Sequence, residues 1–523
     1  MKTVAFLFVS IMVVCAFAGC MGNDTPATTP KPATQSTPKD DEKPDEPKNE
    51  AIDMYYDDRV YVNKLVGVSL VDSVEIKNQV VTSKKLGTDT LDENVIIYEE
   101  STSRIIAVGT GTATLVADGK EYDVTVTPAP ITLAVITGHS LGSGSKGDAA
   151  QSIVCEAGTA YNTTLSISTS TWLDKMLGSS IGYTEEDRID NIDGLTKDAT
   201  GTKGAPGVNS ALAYEWHNLT GEKMWVINCA VGGSCINQGQ PVATEQYMER
   251  TVKAMNLASE ILKNEVEAGH YTYRTTIMFN FSSANFTYQN VVSDNDTLHR
   301  VWHDNLWKGF NKGVTVDIDG DGKIDGAYAM GYVPIWTPSM NDFNRDYHFV
   351  YNRAASDDYN RIFLASDLTR FLKTDENIAK NFPIHEYKIQ SGNAITQPTT
   401  TSVLFPDGTH LCQAGYNAQG IHMANVLYSY LIEPAELKEI TLINATDNLK
   451  GDIVGDTLTI TTGKQYKLII TTDPVGICDL EITVEGNLTL EKPFYVSAST
   501  KGTGKIIIKR DGVVVKTVNV TVN

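Results

Sequence analysis

Polar and apolar residues alternate from Glu121 to Thr127, and the preceding run Thr112–Ala117 is rich in the same β-forming types. Asp118-Gly119 lies between the two. Alternation turns one side of a strand to a core and the other to water. An Asp-Gly pair tolerates the positive φ that a type I′ turn needs at both centre positions. The pattern predicts a β-hairpin. It recurs near the end of the chain, where Asp511-Gly512 precedes Val513–Val522. In each copy a Gly-Thr-Gly, 109–111 or 502–504, lies six residues ahead of the Asp-Gly pair. The shared spacing predicts two copies of one small β module, at 58–130 and 436–523.

Between the copies the period changes. Ile131–Thr137, Lys223–Val231 and Thr275–Phe281 are short runs of the kind that form strands buried on both faces. Thr244–Glu267 instead spaces Tyr247, Met248, Val252, Met255, Ala258, Ile261, Leu262 and Val266 as one stripe of a helix. Gln413–Leu431 predicts a second amphipathic helix. Strands alternating with helices over 131–435 predict a parallel sheet covered by helices on both faces. Ligands of such sheets bind beyond the carboxyl ends of the strands. The residues just after each strand are therefore where chemistry is expected.

Composition narrows the partners. The 523 residues are 41% hydrophobic and carry a formal charge of −21, which supports sizeable cores and excludes global disorder. The acidic balance (pI ≈ 4.9) excludes nucleic acid as the main partner, since binding phosphates takes Lys and Arg. Seven Cys in this length are not a disulfide scaffold. Met1–Cys20 reads as a signal segment, with Lys2 ahead of the mostly apolar Val4–Phe17. It ends in Ala18-Gly19-Cys20, which resembles the bacterial lipobox and implies lipidation of Cys20. The stretch 21–57 reads as a Pro, Thr and acidic tether, with six Pro within residues 21–50. These features predict an exported protein, held by its lipid at a bacterial cell surface or outer membrane and touching membrane only through that anchor. Met21 after the Cys resembles an outer-membrane sorting signal.

Four short motifs follow the predicted strands. Gly138-His139-Ser140 follows the first, Ala230-Val231-Gly232-Gly233-Ser234 the second, and Ser283-Ala284-Asn285 the third. Asp407-Gly408-Thr409-His410-Leu411 precedes the last helix, with Gly415-Tyr416 just beyond. Asp and His three apart in a turn face one way, so a carboxylate can hold one imidazole nitrogen while the other faces the crevice.

In this order, over about 300 residues, the motifs resemble the SGNH hydrolase superfamily. The nearest branch is that of sialate O-acetylesterase-like carbohydrate esterases. The resemblance implies a multidomain chain: a central α/β/α SGNH-type parallel sheet at 131–435, flanked by two small all-β modules that resemble bacterial Ig-like sandwiches. It implies Ser140 as nucleophile, His410 as general base and Asp407 as its orienter. It makes the backbone of Ser140 and Gly233, with the side chain of Asn285, the oxyanion donors. The implied activity is removal of O-acetyl groups from an acetylated poly- or oligosaccharide, with no cofactor for catalysis. The chain departs from the branch in two places. His139 stands where the branch has Gln, and the third block lacks the usual Gly-x-Asn-Asp or Gln-Gly-Glu. That second departure keeps two rival readings open: a surface glycan-binding, adhesin-like lipoprotein on a degenerate hydrolase domain, or an esterase of lipid or aryl esters.

Asp317, Asp319, Asp321 and Asp325 occupy positions 1, 3, 5 and 9 of a loop with Gly322 at position 6, which resembles EF-hand and dockerin calcium loops. Tyr328 stands at position 12, where a bidentate Glu is usual. A structural Ca2+ is the implied ligand. His299 and His303 are four apart but lack a third zinc ligand. Cys229 and Cys235 bracket the Gly-Gly turn, as a disulfide or as packed thiols.

Overall fold

The computed structural model describes residues 49–84, 93–154, 160–164, 207–230, 241–281, 306–338, 361–389, 395–433, 436–444, 456–473, 480–491 and 495–523. The signal segment with Cys20, and most of the tether, lie outside them.

The N-terminal β region contains β1 (Glu50–Tyr55), β2 (Arg59–Tyr61), β3 (Val74–Val81), β4 (Ile96–Glu99), β5 (Arg104–Ala107), β6 (Gly111–Ala117) and β7 (Lys120–Thr127). They form two sheets, β1-β7-β6-β3 and β2-β5-β4, around one core that includes Ile52, Ile96, Ile105, Leu115 and Val124. The predicted hairpin forms, with φ of 49° at Asp118 and 78° at Gly119. β1 falls within the stretch expected as tether. Its alternating Ile52 and Met54 are buried, so β structure is already present at Glu50, ahead of the expected start at 58.

The central region holds a six-stranded sheet made of β8 (Ala129–Gly138), β9 (Ala160–Thr164), β10 (Lys223–Asn228), β11 (Tyr271–Phe281), β12 (Ala329–Tyr332) and β13 (Ile362–Leu364). Its order is β13-β12-β11-β8-β10-β9, and every neighbouring pair is parallel. Its long helices are α1 (Asn209–Thr220), α2 (Pro241–Glu267) and α3 (Gln413–Leu431). Side chains alternate across β8. Ala134 and Ile136 pack with Leu212, Trp216 and Tyr416 on one face, while Leu133 and Val135 pack with Met255 and Leu262 on the other. The chain passes from β10 to β11, on opposite sides of β8, so the order reverses at β8. That reversal opens a crevice at its carboxyl end.

The C-terminal region contains β14 (Glu439–Asn444), β15 (Thr457–Ile460), β16 (Gln465–Asp473), β17 (Leu480–Gly486), β18 (Leu488–Glu491), β19 (Tyr495–Ala498), β20 (Gly502–Arg510) and β21 (Val513–Val522). Two four-stranded sheets, β14-β16-β19-β18 and β15-β21-β20-β17, share a core drawn entirely from residues 437–522. The second hairpin turns at Asp511 and Gly512, with φ of 51° and 77°.

The N-terminal region joins the central sheet without a linker, since only Pro128 separates β7 from β8. The turn after β1 packs under the amino ends of the strands. Tyr56 stacks on His270 with ring centroids 4.2 Å apart, and the buried Lys223 ammonium meets Asp58 at 2.8 Å. The Lys84 N–H donates to the Ala268 carbonyl at 3.0 Å. Among the described residues no helix is long and apolar enough to cross a membrane.

Candidate active site

The carboxyl end of β8 turns sharply at Gly138, where φ is +127°. A Cβ there would lie 2.6 Å from the backbone of Phe281 on β11, so only glycine fits. The turn then closes on itself. The His139 carbonyl accepts from the N–H groups of Gly142 (2.9 Å) and Ser143 (3.1 Å), and the Ser140 carbonyl accepts from the Ser145 N–H (3.0 Å). From outside, the buried Tyr416 of α3 donates its hydroxyl to the Ser145 carbonyl at 2.9 Å. These bonds fix the backbone that carries Ser140 at the rim.

Asp407 and His410 arrive on the turn just before α3. One Asp407 oxygen accepts the backbone N–H groups of Thr409 (3.0 Å) and His410 (2.8 Å); the other meets His410 Nδ1 at 2.8 Å. His410 Nε2 lies 2.7 Å from Ser140 Oγ, across 270 residues of chain. An ionised carboxylate can only accept, so Nδ1 carries the proton and Nε2 accepts from the serine hydroxyl. Partial burial pushes the Asp407 carboxyl up, but the His410 and Thr409 hydrogen bonds and the His410 charge outweigh it and hold it at about 2. The carboxylate therefore stays ionised and fixes this tautomer throughout the neutral range.

His139 is the buried neighbour of this array. Its Nδ1 accepts the Leu141 N–H at 3.2 Å, and burial, reinforced by the His410 charge, holds its pKa at about 3. It is neutral at working pH and sets no like charge beside His410.

Three of the residues expected from sequence thus meet: Ser140, His410 and Asp407. Gly233 and Asn285 lie outside the described residues, as do Cys235, His299 and His303. The strands that lead to Gly233 and Asn285 end beside the serine, with Asn228 of β10 in register with Ile136 and Phe281 of β11 with Gly138. One residue at this rim was not expected. Asn228 is buried, and its Nδ2 donates to the Gly142 carbonyl (3.0 Å) and to Asn209 Oδ1 (2.9 Å). Its Oδ1 accepts the Ala230 N–H at 3.0 Å. One amide therefore ties the serine turn, the start of α1 and the approach to the Gly-Gly segment. The only trace of this in the sequence is a polar residue inside the apolar run Lys223–Val231.

In the acidic loop, carboxylate oxygens of Asp317, Asp319 and Asp325 lie within 4.8 Å of one another. Asp321, expected as a fourth ligand, is outside this group and pairs with Lys323. Burial raises the Asp325 carboxyl, and the charges of Asp319 and Asp317 add to that rise. Converging carboxylates with oxygen donors alone suit a hard divalent cation.

No protein-family model and no curated protein matches the chain. Among solved structures, a carbohydrate acetylesterase from Xanthomonas citri aligns over 90% of this chain and 91% of its own, at 11% identity and a TM-score of 0.29. A protein from Arabidopsis thaliana aligns over 57% of this chain and 98% of its own, at 12% identity and a TM-score of 0.30. TM-scores this low do not establish a shared fold.

Proposed function

We propose that the chain is an SGNH-type serine esterase that removes O-acetyl groups from carbohydrates. The observation that carries this reading is the unbroken hydrogen-bond chain from Asp407 through His410 to Ser140, placed where the order of the central sheet reverses. His410 Nε2 takes the Ser140 proton as Oγ attacks the ester carbonyl. Asp407 holds the ring and stabilises the imidazolium. The negative oxygen that develops needs N–H donors, for which the Ser140 backbone, Gly233 and Asn285 are the proposed set. His410 then gives its proton to the leaving sugar oxygen, and the acyl-enzyme is hydrolysed by water with His410 again as base.

In this reading the two β regions are Ig-like modules, and Cys20 carries the lipid that holds the exported enzyme at the cell surface. A Ca2+ held by Asp317, Asp319 and Asp325 would cross-link the loop ahead of β12 and takes no part in the chemistry. The acidic surface suits neutral acetylated glycans better than anionic ones. Acetate release from acetylated xylan and from O-acetyl sialic acid, by wild type and by Ser140→Ala, tests the reading. Wild-type release abolished by the substitution is expected; equal release by both proteins would overturn the mechanism.

A further inference from the structure

A cavity of about 640 Å³ opens beside α1, away from the serine turn, and it is lined from two regions of the chain. The N-terminal β region contributes Lys64, and the central region contributes Tyr214, His217, Asn218, Glu386, Tyr387 and Lys388. Its size is that of a small-molecule site. Tyr214 and Tyr387 are half-buried and belong to a small apolar cluster with Ile153, Ala211 and Ile421. Lys64, Asn218, Glu386 and Lys388 are exposed around them.

We propose that this cavity is a glycan subsite that binds a neutral pyranose of the polymer whose ester reaches Ser140. This rests on the esterase reading above. A pyranose presents an apolar face of C–H groups and a rim of hydroxyls that both donate and accept. Half-buried phenol rings suit the first. Ammonium and amide donors mixed with a carboxylate acceptor suit the second. A purely anionic ligand would meet Glu386 as well as the two lysines.

The cavity is held in shape from both sides. The N-terminal region that carries Lys64 is fixed to the central sheet by Asp58 on Lys223 and Tyr56 on His270. On the other side, the Tyr387 hydroxyl accepts Asn417 Nδ2 at 3.4 Å, and that same nitrogen donates to the Gln151 carbonyl at 2.9 Å. Asn417 belongs to α3, which begins just after His410. α1 links the cavity to the serine. Its first residue, Asn209, bonds Asn228 beside the serine turn. Tyr214 and Asn218 lie five and nine residues further on, roughly 7 to 14 Å along the axis. In this proposal the polymer reaches both the cavity and Ser140, whereas a small ester touches only Ser140. The N-terminal β region thus acquires a part in substrate capture.

The test compares wild type with the triple variant Lys64→Ala/Asn218→Ala/Glu386→Ala, whose sites are all exposed. Steady-state kinetics on acetylated xylan and on p-nitrophenyl acetate are paired with retardation by deacetylated xylan in native gels. The expected result is a rise in KM for the polymer of about tenfold. kcat and aryl-acetate turnover stay unchanged, and gel retardation is lost. An unchanged polymer KM, or an equal change on both substrates, would overturn the subsite. If wild type cleaves no ester, the esterase reading fails by itself. The subsite then stands on xylan retardation that the triple variant loses, and falls if wild type is not retarded.

Discussion

Two aspartates at opposite ends of the central sheet show how one side chain serves two ends. At the carboxyl end, Asp407 is half exposed and wrapped by hydrogen bonds from Thr409 and His410, which hold its pKa at about 2. At the amino end, Asp57 lies in the joint with the N-terminal region. Burial raises its carboxyl to about 6, although Lys223 and Arg59 pull the other way. The first site keeps a charge beside solvent, where it can stabilise a transient imidazolium. The second contains the ion pair of Asp58 with a Lys223 side chain only 1% exposed, where charge is costly and serves to lock two regions together. A strained pKa alone would have pointed to the wrong end of the molecule. Hydrogen-bond geometry, with a serine hydroxyl at 2.7 Å from the imidazole, separates the proposed chemistry from architecture.

The contrast can be broken in order of expected effect. His410→Ala removes the proposed base and should lower kcat by about 10⁴ to 10⁶-fold, with the urea midpoint little changed. A loss of stability in step with the loss of activity would erase the distinction between the two ends. At the other end, Asp58→Ala removes one partner of a buried ammonium and should cost about 3 kcal/mol, because Asp57 still shares the field of Lys223. Lys223→Met should cost less than Asp58→Ala, since it removes the charge as well as the pairing. Chemical denaturation checks both, and the reverse ranking would mean that Lys223 is solvated.

Asn228→Ala addresses the carboxyl end without touching the triad. It leaves the Ala230 N–H and the Gly142 carbonyl without their partner, and should lower kcat about 10²-fold with KM nearly constant. An increase in KM alone would place Asn228 in substrate binding instead.

The smallest effect concerns pH. Asp57 has a folded pKa of about 6 against 3.8 for the ordinary group, so the folded state holds the proton more tightly. Its contribution to stability is complete below about pH 4 and is lost as pH rises through 6. Asp57→Asn should therefore stabilise the protein by about 1 to 3 kcal/mol at pH 8 and by little at pH 4. A gain of equal size at both values would show that packing, and not ionisation, is responsible.

Local patterns were legible in the sequence wherever the physics is local. Alternation around Asp118-Gly119 and Asp511-Gly512 specified both hairpins, because period-2 burial and positive φ are properties of neighbours along the chain. Apolar periodicity located α3 to the residue, and α2 to within three residues at its start. β1 was missed because its buried Ile52 and Met54 stand among the acidic residues that end a Pro-rich stretch. A spacing rule gives Asp321 as a ligand, but it cannot see that the Asp321 carboxylate lies against the Lys323 ammonium.

By itself, the sequence determined which residues carry reactive groups, where the main strands and helices of the central region lie, and which hairpins turn at Asp-Gly. The tertiary structure decided which of those groups meet. Ser140 and His410 touch only because β8 and the turn before α3 end at the same rim, and nothing short-range encodes a contact across 270 residues. It likewise decided that Asn228 joins three backbone segments, and that Lys64 of the N-terminal region faces one cavity with Tyr214 and Tyr387. Such contacts depend on how whole elements pack. The burial that fixes the packing is summed over both faces of the sheet and is not written at any single position.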